Sequence, residues 1–277
     1  MKKITFLIVF LTSVLLISCQ KEEIIDVNLD TAPPKLVIQA LINWEKGTTG
    51  EQQTIKLTTT TGYYQNVIPV VSGAVVFIKN SSNEQFDFIE TSETGQYVCN
   101  NFKPVIDEQY TLTVISDGDT YNANATMKSV SPITRIEQKE KKGLEEDEIE
   151  IEINAFYDDP ENEDNFYLYR YISSNQDIKT SNYVDQDTFF QGNESSSMIS
   201  NEKLKSGDKI EIKHYGLSKQ YYDYMNILLD ISGNRGGSFQ TPPVKLKGNI
   251  VNVTNKDNYP LGYFSLGEVD SKTYIVK

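Results

Sequence analysis

Over most of the chain, apolar and polar residues alternate in short runs broken by Gly, Pro, Asn and Asp. Alternation with a period of two puts one face of a segment on a core and the other in water, so it predicts β-strands. Segments 35–42, 52–61, 73–79, 85–90, 95–99, 108–116 and 120–127 fit this pattern. The sharpest local signal is the last pair. Tyr110, Leu112 and Val114 alternate, as do Tyr121, Ala123 and Ala125, with Asp117-Gly118 between the two runs. A two-residue hairpin is predicted there, because Gly tolerates the positive φ of a type I′ turn. This density of short strands predicts a β-sandwich over residues 35–130.

A second β-rich unit is expected over 131–277, starting at Ser131-Pro132. In 147–156 the residues Ile149, Ile151, Ile153 and Ala155 alternate with acids, which reads as a half-buried strand with a solvated outer face. Segment 165–173 is expected to pair with it across the acidic turn 158–164. Further strands are predicted at 208–215, 259–266 and 273–276. One helix is predicted over about 218–232: Ser218 is its N-cap, Tyr221, Met225, Leu228 and Leu229 its inner stripe, and Gly233 its stop. Gly236-Gly237 then leads through a loop into Pro242-Pro243.

The stretch Glu93–Cys99 resembles the tyrosine-corner strand of antibody domains, yet no second Cys stands upstream and Trp44 is not where that core needs it. Gly95-x-Tyr97, then Phe102 and Pro104, then Tyr110-x-Leu112-x-Val114 is more similar to the transthyretin-like or carboxypeptidase-regulatory-like sandwich. The expected fold is therefore mainly β: an N-terminal Ig-like/transthyretin-like β-sandwich, followed by a second antiparallel β unit carrying one helix.

The chain begins differently. Lys2 and Lys3 precede an almost wholly apolar run, Ile4–Ile17, too short to span a bilayer comfortably but suited to a signal peptide. Leu16-Ile17-Ser18-Cys19 resembles the bacterial lipobox. That resemblance implies cleavage of residues 1–18 and modification of Cys19 with a diacylglyceryl group and a further acyl chain such as palmitate. Two or more chains give stable anchoring where one does not. Residues 19–34 then read as a lipidated acidic tether ending in Ala32-Pro33-Pro34. Gln20-Lys21-Glu22-Glu23 resembles the export signal of surface-exposed lipoproteins of the Bacteroidota, and Asp30-Thr31-Ala32 resembles their short O-glycosylation motif, with Thr31 as acceptor. The expected location is the outer membrane, lipid-anchored and facing the cell exterior.

Charge narrows the partners. The formal charge is −13; residues 1–18 hold two lysines and no acid, so the remainder carries −13 − 2 = −15. Such a body does not suit nucleic acid or an anionic membrane surface. With Cys19 lipidated, Cys99 has no partner for a disulfide and reads as a small buried hydrophobe.

Candidate chemistry is sparse. His214 is the one histidine, on a predicted strand with no nucleophile motif beside it, and zinc is unsupported. Asp158, Asn162 and Asp164 offer oxygens for a weak calcium candidate, but the sharp Gly turn of a calcium loop is missing. No cofactor is expected. Binding character resides in tyrosine: Tyr167, Tyr169 and Tyr171 share one strand face, while Phe166, Leu168 and Ile172 take the other. Either the tyrosines stand outward as a binding ridge or the strand is buried on both faces.

Several pieces stand in a fixed order: Cys19; Pro34-Lys35-Leu36-Val37-Ile38; Phe156-Tyr157-Asp158-Asp159-Pro160 with Asn165-Phe166-Tyr167; Tyr221-Tyr222-Asp223-Tyr224; and the tail Thr241-Pro242-Pro243, Gly248-Asn249-Ile250, Leu261-Gly262-Tyr263-Phe264. Together they resemble the Bacteroidota lipoprotein family catalogued as domain of unknown function 4249. The resemblance brings no catalytic residues with it. It implies an accessory role beside a TonB-dependent outer-membrane transporter. The expected protein is a non-catalytic surface lipoprotein that binds such a transporter or its cargo; the alternatives are a surface glycan- or peptide-hydrolase, or an adhesin.

Overall fold

A computed structural model describes residues 33–62, 65–142, 149–161, 163–188, 191–233 and 246–277. Cys19, Gln20, Lys21, Glu22, Glu23, Thr31 and Asn162, together with segments 1–32, 234–245 and the start of the strand read at 147, lie outside them. Residues 34–277 form one compact unit.

The alternating segments of the first half become β1 (Leu36–Glu45), β2 (Gln53–Thr59), β3 (Val75–Asn80), β4 (Gln85–Glu90), β5 (Gln96–Cys99), β6 (Gln109–Ser116) and β7 (Asp119–Lys128). Asp117 and Gly118 both take positive φ, 49° and 81°, and Ser116 pairs with Asp119 across a two-residue turn. The chain continues through β8 (Ile133–Lys142), β9 (Ile149–Asp158), β10 (Phe166–Ser173), β11 (Ser181–Gln186), β12 (Glu194–Asn201), β13 (Lys209–Leu217), helix α1 (Lys219–Gly233), β14 (Val251–Asn252) and β15 (Leu261–Ile275). The protein is mainly β, with antiparallel and mixed pairing and one helix among the described residues.

Strand β15 organises the molecule. Its first half runs parallel to β1 from Val37↔Leu261 to Glu45↔Val269, and touches β7 at Leu266↔Met127 and Gly267↔Lys128. The order β15-β1-β2-β5-β4-β3-β6-β7 thereby closes on itself, barrel-like, around a core that includes Ile38, Ile42, Ile55, Leu57, Phe86, Phe102 and Phe264. Its second half pairs with β13, which carries the sheet outward through β10 to β11. A separate three-stranded sheet, β12-β9-β8, faces that extension across a second core of Ile153, Ala155, Tyr157, Tyr167, Tyr169, Tyr171, Ile210 and Ile212.

Two expectations are corrected. Segments 259–266 and 273–276 belong to a single strand, because the acids between them are internally satisfied. Glu268 accepts from Val130 N at 3.0 Å and from Lys46 Nζ at 2.6 Å, and Asp270 accepts from Ile133 N at 2.8 Å. Nor does β9 pair with β10. β9 pairs with β8 and β12, β10 with β11 and β13, and segment 159–165 crosses between facing sheets. Facing placement lets both strands bury their aromatic faces on one core, where the Tyr157 and Tyr169 hydroxyls meet at 2.5 Å.

Candidate binding site

The tyrosines of β10 point inward. Tyr167, Tyr169 and Tyr171 are each 1% exposed, which overturns the outward ridge. The opposite face of the strand is also covered: Leu168 and Leu217 pack against Tyr221 and Tyr263, with Phe166, Tyr222 and Met225 around them. A buried hydroxyl needs a partner, and each of these has one. Tyr167 donates to Asp159 Oδ1 at 2.6 Å, Tyr169 meets Tyr157, and Tyr171 meets Ser197 Oγ at 2.6 Å. Burial pushes the Tyr157 phenol up to about 12 and lifts Tyr167, Tyr169 and Tyr171 well above the ordinary phenol range.

His214 lies on β13 inside this layer. Its ring centroid is 4.4, 4.7 and 5.0 Å from those of Tyr157, Tyr167 and Tyr169, the last pair stacked. Neither ring nitrogen has a well-formed hydrogen bond. Burial drives its pKa down to about 3, opposed by the Ser131 backbone, so the imidazole is neutral at physiological pH. Asp159 is buried and its Oδ2 has no partner; burial raises its carboxyl pKa, the Tyr167 bond opposes the shift, and Asp187 adds to it. Cys99 is fully buried on β5 with a free thiol whose pKa burial raises.

Of the calcium candidates, Asp158 and Asp164 are exposed, Asp164 accepts from Gln191 Nε2 at 3.2 Å, and Asn162 falls outside the described residues. Among the described residues no three His, Cys, Asp or Glu side chains are grouped to hold a metal ion.

Among the described residues, a small and a larger cleft open on the surface. The small one, about 80 Å³, lies between α1 and the outer face of β1, β15, β13 and β10, with Leu41, Asn43, Arg170, Tyr215, Tyr221 and Ser265 on its walls. The larger, about 420 Å³, is bounded by Ile106, Asp107 and Lys128 on the first half of the chain and by Glu163, Asp164, Asn165, Phe166 and Lys219 on the second. Its lining mixes both charges. Lys128 Nζ is 3.6 Å from Asp107, and Lys219 Nζ lies 6.0 Å from the centroid of the Phe166 ring. An aromatic face, an amide and charges of both signs in one open cleft can take a polar molecule such as a sugar or peptide. Sequence reasoning missed both clefts, since their walls come from distant segments. The only local hint is Arg170, which interrupts Tyr169 and Tyr171 on the opposite face of their strand.

Architecture and clefts thus define a mainly β protein with two large cores, a smaller cluster under α1 and an open polar cleft. The chain belongs to the family described as Domain of unknown function (DUF4249), whose family model matches residues 22–273. No curated protein matches the sequence. Among solved structures the chain is similar to a segment of two fibronectin type-III domains from chicken tenascin, at 9% identity and a TM-score of 0.22, covering 66% of this chain and 90% of that one. No helix among the described residues is long and apolar enough to cross a membrane.

Proposed function

We propose that this protein is a non-catalytic outer-membrane lipoprotein, anchored through Cys19 and facing the cell exterior, that serves as an accessory binding subunit of a TonB-dependent transporter. One observation carries the non-catalytic part. The side chains best suited to proton transfer or nucleophilic attack, His214 and Cys99, are sealed in the two cores, whereas the larger cleft displays mixed polar and aromatic groups to solvent. Polar cargo is held there, between the two halves of the chain. The lipobox at Cys19 supports the anchor, Gln20–Glu23 the export, and the resemblance to the family its place beside a transporter.

The first half of the chain, 35–130, is read as an Ig-like or transthyretin-like sandwich module. Its ring of strands is closed by seams of only two residue pairs, Ile89↔Val98 with Glu90↔Tyr97 and Leu266↔Met127 with Gly267↔Lys128, so its walls act as two facing sheets. Residues 131–277 are read as the second module, lending β14 and the first half of β15 to the first.

Purification in mild detergent through the native anchor, with partners identified by mass spectrometry, is expected to recover a TonB-dependent transporter. Recovery of no outer-membrane protein would reject the assignment. Cys19→Ala should release the protein from membranes washed in high salt; equal retention would reject the anchor. Replacing Lys21, Glu22 and Glu23 with Ala should keep the anchor but abolish protease shaving of intact cells, and undiminished shaving would place the export signal elsewhere.

A further inference from the structure

The end of the barrel at which the chain enters carries an apolar rim. Val75 pairs with Ile115, and continuing the Val76↔Phe88 register places Ile89 on the other side of Val75. Ile115 faces Thr120, whose carbonyl accepts from Val253 N at 2.8 Å. Ile89, Val75, Ile115 and Val253 therefore line up across the outer face of β4, β3, β6, β7 and the end of β14. The connection from β2 to β3 adds Val67 and Ile68 at the same end: Thr59 N donates to Pro69 O and Thr60 N to Lys35 O, each at 2.9 Å. These six aliphatic side chains are between 40% and 76% exposed. Exposed apolar residues gathered this way mark a contact surface.

The compact body begins at Pro34, beside Lys35, so the fourteen residues 20–33 that would join it to Cys19 reach it at this same end of the barrel. Even fully extended, that length spans at most ~50 Å, which keeps this end of the body nearest the anchor. The ammonium groups of Lys35 and Lys247 both lie over the Tyr259 ring, 3.7 and 4.2 Å from its centroid, which adds the cation-and-tyrosine composition of a bilayer interface. Glu93 and Asp117 occupy exposed turns at this same end and would repel an anionic surface.

We infer that the rim formed by Val67, Ile68, Val75, Ile89, Ile115 and Val253 rests in the headgroup boundary of a zwitterionic lipid surface, and so holds the body in one orientation with β8–β13 away from the bilayer. The rim supplies a second, weaker attachment beside the acyl chains. The inference rests on the proposed anchor at Cys19.

Its test uses the full chain held on phosphatidylcholine vesicles through Cys19, by its own acyl chains or, where these are lacking, by coupling the same thiol to a maleimide lipid. A fluorophore is attached by azide–alkyne coupling to an azide-bearing residue in place of Ile68, or of Thr49 at the far end, which leaves the Cys19 thiol to the lipid; Cys99 is buried and does not compete for it. Trp44, the only tryptophan, sits near the distal end of β1, about 30 Å from Lys35 at ~3.3 Å per residue. Brominated lipid is expected to quench the Ile68 label several-fold and leave the Thr49 label and Trp44 unchanged. Val75→Asp with Ile115→Asp should abolish that quenching, and anionic lipid should reduce it. The inference is overturned if the Ile68 label stays in water, if both ends are quenched alike, or if the label is shielded without vesicles in proportion to protein concentration, which would mean that a second copy covers the rim. Failure of the uncoupled chain to float with vesicles would instead reject the anchor alone.

Discussion

The two cores of this molecule are built from different materials. Inside the barrel, Ile, Leu, Val and Phe predominate, and two of its three tyrosines reach outward to backbone: Tyr97 donates to Val71 O at 2.9 Å and Tyr110 to Lys103 O at 2.7 Å, while Tyr121 donates to Asp119. Between the two sheets of the second half, Tyr157, Tyr167, Tyr169 and Tyr171 bond to one another, to Asp159 and to Ser197, around the neutral His214. A backbone carbonyl stays in place when a neighbouring side chain is replaced. A side-chain partner does not, so the second core depends on pairs that must be present together. Apolar packing tolerates volume-conserving exchange, whereas a buried polar network is punished for each orphaned group.

The largest difference should come from truncation. Tyr167→Ala, Tyr169→Ala and Tyr171→Ala together should unfold the second half, since removing one large aromatic from a core costs about 3–5 kcal/mol and a domain holds only about 5–15. A cooperative circular-dichroism melt at the native midpoint would return these residues to the surface. A smaller effect separates the cores more finely. Tyr169→Phe should cost about 1–3 kcal/mol by orphaning Tyr157, and adding Tyr157→Phe should restore part of it, which Tyr97→Phe in the barrel offers no partner to do. Additive costs in chemical denaturation would argue against the pair.

Acid should weaken the second core through His214. The unfolded side chain takes a proton near 6.5, while the folded one refuses it down to about 3. Between those values the unfolded state binds more protons, so stability falls with falling pH by up to ~1.4 kcal/mol per unit. Asp159 has the opposite sign: its raised pKa means that burial costs stability as pH rises through the folded value, and acid relieves that cost. His214→Leu should flatten the slope between pH 6.5 and 4, and an unchanged slope would assign acid sensitivity to other groups. The smallest expected loss is at the helix cap, where Ser218 Oγ accepts from Tyr221 N at 3.2 Å. Ser218→Ala should cost about 1 kcal/mol, and a thermal midpoint identical to wild type would show that the cap adds nothing.

Strands β1–β7 of the barrel were legible because each alternates cleanly and turns over at Gly, Asn or Asp, whereas β15 was split by its buried acids. β8, β11 and β12 were not, because Lys and Glu fill the sequence of β8, and Ser and Asn that of β12. Alternation also reveals that Tyr167, Tyr169 and Tyr171 share a face without revealing which face is inside. Leu168 and Phe166 compete for the core, and the sequence does not show that α1 would cover them. On α1 itself the cap was legible but the stripe was not: Tyr221 is buried, Met225 and Leu229 are half-buried, and Leu228 is exposed, because the second half of the helix runs past the sheet. The clefts were hidden for the same reason as the β10 orientation. They arise from tertiary placement of segments far apart in the chain.

Tyrosine ionisation followed by ultraviolet absorbance gives a direct reading of that placement. The chain holds 17 tyrosines. If Tyr167, Tyr169 and Tyr171 are internal and hydrogen-bonded, replacing all three with Phe will leave the absorbance change up to pH 11 the same as in the native protein. The missing amplitude will appear only when both proteins are unfolded. A loss of three residues' amplitude between pH 9.5 and 11 while the fold is intact would place the stripe in solvent and contradict the account of the second core.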